Sequence, residues 1–157
     1  MLILGGLVET LDEANEKIAE LIESGVAFRK LQELVAAQDG DPRALEDYSR
    51  FPQAKGVTMI SAPKSGYIQG IACENIGSLA VQLGAGRERV NDPIDHAVGF
   101  IFHHKVGDEV QEGDHLVTVY YNDENKAEKI RQPLIDAFEI SENAVTPPPL
   151  VLERITS

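Results

Sequence analysis

A short loop holds the residues of this chain that are best suited to bind an anion. Gly84 and Gly86 flank a single alanine, and Arg87 follows them directly. We predict that both glycines supply backbone freedom to the loop. Glycine lets backbone N–H groups approach a ligand closely, and an arginine guanidinium binds phosphate or carboxylate through two parallel hydrogen bonds. Asp92 and Asp95 lie a few residues further along the chain. The loop is the first candidate for a functional site, although it does not end in the Gly-Lys-Ser/Thr of a P-loop.

A purely structural interpretation of the same loop stays open. In it, Arg87 and Arg89 pair with neighbouring carboxylates on the protein surface and bind no ligand. The carboxylates within reach are Glu88, Asp92 and Asp95. Ion pairs between exposed side chains are common and contribute little free energy. Residue spacing taken alone favours this interpretation over an anion site.

The histidines make a weaker case for a metal site. His103 and His104 are adjacent in a strand-like segment, so their side chains point to opposite faces. His96 and His115 lie elsewhere in the sequence, and no cysteine or carboxylate stands at the spacing of metal ligands. We therefore expect no metal site and no cofactor.

Lys64 lies in the turn Pro63-Lys64-Ser65, where a carrier protein would hold its prosthetic group. Biotinyl carriers flank the modified lysine with methionines, whereas here Met59 is distant. We expect Lys64 to be a solvated turn residue, and a carrier modified on Lys64 is the least favoured function.

Four carboxylates surround two turn glycines nearby: Asp108, Glu109, Glu112 and Asp114. Asp and Gly are frequent in turns because they tolerate the backbone conformations that turns require. These side chains are expected to be solvated turn carboxylates and not a catalytic pair.

The composition limits the classes of partner. The chain has 157 residues with 26 acidic and 14 basic side chains, a net charge of −12. Such a charge repels nucleic-acid backbones and anionic membranes, so neither is an expected partner. The single cysteine, Cys73, excludes an internal disulfide and indicates a reduced, cytoplasmic setting. We expect Cys73 to be a small core residue of an apolar strand.

The first fifty residues predict helices. Thr10 can cap a helix over residues 10–25, with Glu13 three residues later as in a capping box. A second helix is predicted over residues 26–38, and Asp41-Pro42 can begin a short helical turn.

The rest of the chain predicts short strands mixed with helices. Strands are predicted over residues 57–61, 67–73, 99–105, 115–121 and 151–155. Helices are predicted over residues 76–83 and 123–138, and Pro133 interrupts the second or begins a new one. The segments around Gly66 and Gly107 resemble a weak internal repeat. The predicted fold is α+β, and the repeat favours a sandwich of short strands like that of biotinyl and lipoyl domains.

Several motifs together resemble the pyrimidine-nucleoside phosphorylase and thymidine phosphorylase family. They are Ala62-Pro63 through Gly70, Leu83 through Gly99 and Lys105 through Gly113. Gln38-Asp39-Gly40-Asp41 stands where that family usually shows Gln-Gly-Gly-Asp. The resemblance runs nearly end to end and corresponds to the C-terminal part of the family.

The resemblance implies an organisation and a reaction. Residues 1–48 would be the helical tail of the large phosphorylase α/β domain, residues 49–55 a linker, and residues 56–157 the C-terminal domain with a barrel-sandwich arrangement of strands. The parent enzyme would cleave a pyrimidine nucleoside or deoxynucleoside with phosphate, giving free base and a pentose 1-phosphate. It would act in nucleoside salvage as a homodimer formed through the upstream part.

The resemblance assigns no catalytic, phosphate-binding or metal-binding residue to this chain, because the motifs that carry those roles match no position here. It implies that the loop with Gly84, Gly86, Arg87, Asp92 and Asp95 helps to close the cleft. The chain would then be a fragment that is inactive alone and needs the remainder of the phosphorylase. The alternative is a stand-alone binding or regulatory domain without enzymatic activity.

Overall fold

A computed structural model describes residues 1–153 and 155 of the chain. The chain divides into two compact units, one comprising Met1–Phe51 and the other beginning at Pro52. No helix among the described residues is long and apolar enough to cross a membrane.

The first unit is built from two helices and two short 3₁₀ turns. The helices are α1 (Leu11–Glu23) and α2 (Val26–Ala37), and the turns cover Pro42–Leu45 and Tyr48–Arg50. The predicted helices and the helical turn at Pro42 are confirmed. The second turn begins one residue before the expected linker of residues 49–55 and overlaps its first two residues.

The start of α1 shows why the sequence predicted it well. The Thr10 hydroxyl accepts a hydrogen bond of 3.2 Å from the Glu13 N–H. The Glu13 carboxylate in turn accepts one of 2.9 Å from the Glu9 N–H, one residue before the cap. The first bond satisfies a backbone donor that a helix start leaves free, and the second holds the residue before the cap, so the local sequence fixes this boundary.

The apolar faces of α1 and α2 are largely uncovered in this unit. Among its described residues only Ala14 is buried. Ile22 is 64% exposed and Leu34 is 53% exposed. An amphipathic helix normally buries this stripe, so these faces are suited to contact another protein surface.

The C-terminal end of α2 uses an uncommon residue. Asp39 has φ +59°, in the left-handed region that favours glycine. Its N–H donates to the Ala36 carbonyl at 3.2 Å, and the Gly40 N–H donates to the Val35 carbonyl at 2.9 Å. These two bonds are those of a Schellman motif, whose left-handed position is usually glycine.

The described residues of the second unit form six strands and two helices. In chain order they are β1 (Gly56–Ser61), β2 (Gly66–Ile71), α3 (Cys73–Leu83), β3 (Gly99–Phe102), β4 (Glu109–Val110), β5 (His115–Tyr121), α4 (Glu124–Asp136) and β6 (Phe138–Ser141). The strands form two antiparallel sheets with orders β1-β5-β3 and β4-β2-β6. The fold is therefore α+β as predicted. Neither sheet closes, so the biotinyl- or lipoyl-like barrel-sandwich is not confirmed.

The core lies among both sheets and both helices of this unit. Ile60, Ile68 and Val117 supply buried strand side chains, and Ile130 and Leu134 supply the apolar side of α4. All five are at most 1% exposed. Burial of each such side chain contributes roughly 1.5–3 kcal/mol, which makes this cluster the main source of the unit's stability.

Two identical turns join β3 to β5 on either side of β4. In the first, the Asp108 carboxylate accepts the Lys105 N–H at 2.8 Å. In the second, the Asp114 carboxylate accepts the Gln111 N–H at 2.8 Å. Each turn has a glycine with positive φ just before its aspartate. The two carboxylates therefore stabilise turns, as expected.

Three local predictions are wrong. Cys73 is exposed and begins α3, because β2 ends two residues earlier at Ile71. Phe138 belongs to β6 and not to the preceding helix, since Phe138 and Ile140 are buried while Glu139 between them is exposed. Pro133 neither ends α4 nor begins a new helix. The prolyl nitrogen removes one bond near the end of the helix, and Pro133 itself is exposed.

Two predicted strands are also corrected. The strand predicted over residues 99–105 ends at Phe102. The His103 N–H still bonds the Leu116 carbonyl, and the turn begins at Lys105. Residues 151–153 and 155 form no strand, and Arg154 lies outside the described residues.

Candidate functional site

The loop after α3 begins at a glycine that its backbone requires. Gly84 has φ +118°, and its N–H donates to the Val81 carbonyl at 3.0 Å. The Ala85 N–H donates to the Ala80 carbonyl at 2.9 Å, which completes a Schellman motif. The predicted conformational role of Gly84 is therefore confirmed at the end of the helix.

Gly86 serves a different purpose from the one predicted. Its φ is not positive, so the backbone there needs no special freedom. A Cβ on Gly86 would lie only 2.7 Å from Cγ2 of Val81. The prediction that Gly86 supplies backbone freedom is wrong, because this glycine instead allows the loop to pack tightly on α3.

Asp95 anchors the far end of the loop. Its carboxylate accepts hydrogen bonds from the Asn122 side-chain amide at 2.7 Å and from the Ala97 N–H at 3.0 Å. Its own N–H donates to the Gly84 carbonyl at 2.9 Å. The Asn122 oxygen accepts the Lys55 N–H at 2.8 Å. One aspartate thus links both ends of the loop to the segments beside β5 and β1.

The electrostatic state of Asp95 follows from these bonds. The Asn122 amide and then the Ala97 N–H lower the pKa of the Asp95 carboxyl, with smaller contributions from His96 and Lys126. Hydrogen bonds to a carboxylate favour its ionised form. Asp95 is therefore a charged anchor at neutral pH.

Asp92 closes a turn inside the loop. Its carboxylate accepts the Arg89 N–H at 2.8 Å, and its N–H donates to the Arg89 carbonyl at 3.0 Å. This repeats the arrangement of the two turns around β4. Asp92, like Asp95, bonds to neutral donors and not to a guanidinium.

The two arginines of the loop form no ion pair with the carboxylates of the loop. Arg87 and Arg89 are exposed, and neither guanidinium is in an ion pair or hydrogen bond with any described residue. The interpretation in which they pair with nearby carboxylates is not what the structure shows. A functional role for Arg87 stays a prediction.

A cavity of about 480 Å³ lies between α3, the loop and α4. Its lining includes Gly84 and Gly86 of the loop, with Glu88 and Asp92 beyond them. The α4 wall carries basic side chains at two positions three residues apart, which share one face of the helix. These are Lys126 and Lys129. The size is within the range of small-molecule sites.

The sequence did not indicate the two lysines. They are distant from the loop along the chain, and an exposed lysine on a helix is ordinary. The available signal was that Ala127, Ile130 and Leu134 mark the buried face of α4, beside which Lys126 and Lys129 must lie. The tertiary packing that places this face of α4 beside the loop could not be predicted from the sequence.

The histidines do not form a metal centre. His103 Nε2 lies 2.7 Å from the Thr118 hydroxyl, and His104 Nδ1 lies 3.8 Å from the Asp108 carboxylate. His115 lines a cavity of about 390 Å³ together with these two histidines. Within the described part of the chain no three His, Cys, Asp or Glu side chains are placed to hold a metal ion.

Lys64 occupies an exposed turn, as predicted. The neighbouring Ser65 hydroxyl accepts the Glu112 N–H at 2.9 Å. The Ala62 carbonyl accepts the Gly113 N–H at 2.9 Å. These bonds join the Lys64 turn to the turn that follows β4, so its shape has a structural explanation that needs no attached group.

Comparison with known proteins gives one consistent family. Residues 67–141 match the sequence family described as the pyrimidine nucleoside phosphorylase C-terminal domain. The chain is 35% identical over 156 residues to a pyrimidine-nucleoside phosphorylase of Geobacillus stearothermophilus, an alignment that covers 99% of this chain and 36% of that protein. It is 38% identical over 147 residues to one of Bacillus subtilis, with 94% and 34% covered. The chain spans about a third of the length of these curated relatives.

Proposed function

The chain belongs to the C-terminal part of the pyrimidine-nucleoside phosphorylase family, and we propose that it serves the phosphorolysis of pyrimidine nucleosides. In this reaction a phosphate oxygen attacks the anomeric carbon of the sugar. The C–O bond to phosphate forms, the glycosidic C–N bond breaks, and the base leaves with the electron pair and takes up a proton. The products are free base and a pentose 1-phosphate. Ribosides and deoxyribosides, including thymidine, are both candidate substrates.

The contribution proposed for this chain is to closure of the enzyme's cleft and not to bond chemistry. Catalysis of this type depends on positioning and electrostatic stabilisation, which a closing loop can complete without touching the reacting atoms. We assign it no catalytic residue, so the chain alone is expected to be inactive. The helices of the first unit would belong to the large domain, and dimerisation and the cytoplasmic setting are part of the same proposal.

The observation that carries this proposal is the contrast between the base and the tip of the loop. Gly84 and Asp95 are tied to each other and to the body of the unit by hydrogen bonds. Arg87, between them, is exposed and has no partner among the described residues. A guanidinium held on a fixed base is suited to bind a carboxylate or phosphate on a surface that approaches it.

The test is steady-state phosphorolysis by a phosphorylase polypeptide that contains this chain. Arg87→Ala is expected to lower kcat/KM about tenfold, which corresponds to about 1.4 kcal/mol of lost transition-state stabilisation. Arg87→Lys should recover only part of the activity, because lysine lacks the bidentate fork. Arg89→Ala is the matched control.

Two results would count against the proposal. Unchanged kinetics for Arg87→Ala would show that the loop makes no contact that matters for turnover. Release of free base by the 157-residue chain alone would show that the chain carries its own chemistry.

A stand-alone binding domain is the second candidate, and the exposed apolar faces of α1 and α2 favour it. Such faces are suited to a protein partner. Mixing the chain with a separately produced phosphorylase large domain separates the two candidates. Restored phosphorolysis would support the enzyme, whereas failure to associate would favour the binding domain.

A further inference from the structure

The cavity between α3, the loop and α4 combines groups that recognise different parts of one ligand. Lys126 and Lys129 line the cavity from α4, and Glu88 and Asp92 line it from the loop. Neither ammonium lies within ion-pair distance of a carboxylate among the described residues. The chain carries a net charge of −12, yet two exposed lysines lie beside this one cavity.

The carboxylates of the lining restrict which anions the cavity can bind. A free phosphate ion would be drawn to the lysines but repelled by Glu88 and Asp92. A ligand that also carries hydroxyl groups removes this conflict, because a carboxylate accepts hydrogen bonds from hydroxyls. Among the apolar side chains of the lining, those of Val81 and Pro93 are at least partly exposed and can contact the carbon face of a sugar.

We infer that this cavity binds a small phosphorylated sugar. Its phosphate lies against Lys126 and Lys129, and its hydroxyl groups donate to Glu88 and Asp92. Lysine ammonium groups bind phosphate as point charges without fixed geometry. The inference is independent of the proposed phosphorolysis, because it concerns binding and not turnover.

The test is a titration of the full 157-residue chain at constant ionic strength, in which binding is measured by amide NMR and by calorimetry. The probes are ribose 5-phosphate, ribose and inorganic phosphate. Ribose 5-phosphate is expected to bind at least about tenfold more tightly than either other probe, because only it engages both walls. The amide signals of Gly84 and Gly86, which line the cavity, should shift on binding.

Substitutions of lining residues test whether ribose 5-phosphate binds in this cavity. Replacing Lys126 and Lys129 together by Gln should weaken ribose 5-phosphate binding at least about tenfold. The matched control replaces Lys64 and Lys105, two exposed lysines that do not line this cavity, and should leave the affinity unchanged. Glu88→Gln should reduce the preference for ribose 5-phosphate over inorganic phosphate. All five positions are exposed, so the variants are expected to fold.

Three outcomes would overturn the inference. The first is no saturable binding of ribose 5-phosphate. The second is equal affinity for inorganic phosphate, which would indicate a counterion only. The third is an equal loss of affinity in the site variant and in the control variant, which would indicate a general charge effect.

Discussion

Removal of the Asp95 carboxylate should loosen the second unit, and Asp95→Ala tests this. The substitution deletes the acceptor of two hydrogen bonds, from Asn122 at 2.7 Å and Ala97 at 3.0 Å. A bond to a charged group contributes about 1.5–3 kcal/mol when it is fully buried. Asp95 is half-buried, so solvent screening reduces this to about 1 kcal/mol for each bond and about 2 kcal/mol in total. For a unit of about 100 residues this lowers Tm by about 8 °C.

The assay is thermal and urea unfolding followed by the near-ultraviolet circular dichroism of tyrosine. Three of the four tyrosines lie beyond residue 51, so the signal reports mainly on the second unit. Asp92→Ala is the control, because it removes a single surface bond to the Arg89 N–H. Its effect should be below about 1 kcal/mol. Equal effects of Asp92→Ala and Asp95→Ala would refute the anchoring role of Asp95.

The pH dependence provides an independent check on the same carboxylate. The folded-state pKa of Asp95 is lowered from 3.8, so the unfolded chain binds its proton more tightly. The stabilisation by Asp95 is therefore fully present above about pH 5 and is lost as pH falls through the folded pKa. The difference in unfolding free energy between the natural chain and Asp95→Asn should be constant from pH 7 to 5 and shrink below pH 4. A difference that does not change with pH would contradict a charged anchor.

Three further substitutions test the fold by chemical unfolding. Asp39→Gly should stabilise the first unit by about 0.5–1 kcal/mol, since it relieves a left-handed φ and removes a negative charge at a helix C-terminus. Asp39→Asn removes the charge alone and so separates the two causes. A glycine variant less stable than the natural chain would exclude backbone strain at this position. Gly86→Ala should destabilise by about 1–3 kcal/mol because its Cβ meets Val81, and an unaffected variant would mean that the loop moves away freely. Leu134→Ala should destabilise by about 2–5 kcal/mol, and a loss below 1 kcal/mol would contradict its place in the core.

The elements predicted well are those whose signals are local. Thr10 and Glu13 define the start of α1 through bonds within four residues. Phe138 alternates with Ile140 as in a strand, which is also a local signal, yet Phe138 was assigned to the helix because the apolar spacing of α4 continues to it. Only pairing with β2 shows that these residues form a strand. A short apolar segment fits either period, and the distant partner decides between them.

The candidate site likewise has some parts with local sequence signals and others that depend on distant residues. The role of Gly84 was recognisable from residue type, because the chemistry of turns and helix ends is local. Asp92 was predicted only as a residue of the candidate site or as an ion-pair partner, and not as the acceptor that closes a turn. Asn122 donates to Asp95, 27 positions away, and accepts from Lys55, 67 positions away, and no short motif encodes these bonds. The lysine wall of the cavity likewise depends on how α4 packs.

Stability and turnover should respond to different residues of this loop. Asp95 contacts the body of its unit, so its removal should lower the unfolding free energy and any activity that needs the loop in place. The exposed Arg87 guanidinium makes no hydrogen bond or ion pair with a described residue, so Arg87→Ala deletes no such bond and should leave Tm unchanged. A loss of turnover in Arg87→Ala with Tm unchanged therefore requires a partner outside the described contacts of this chain. Loss of both together would instead mean that Arg87 supports the loop, and cleft closure would no longer be needed to explain it.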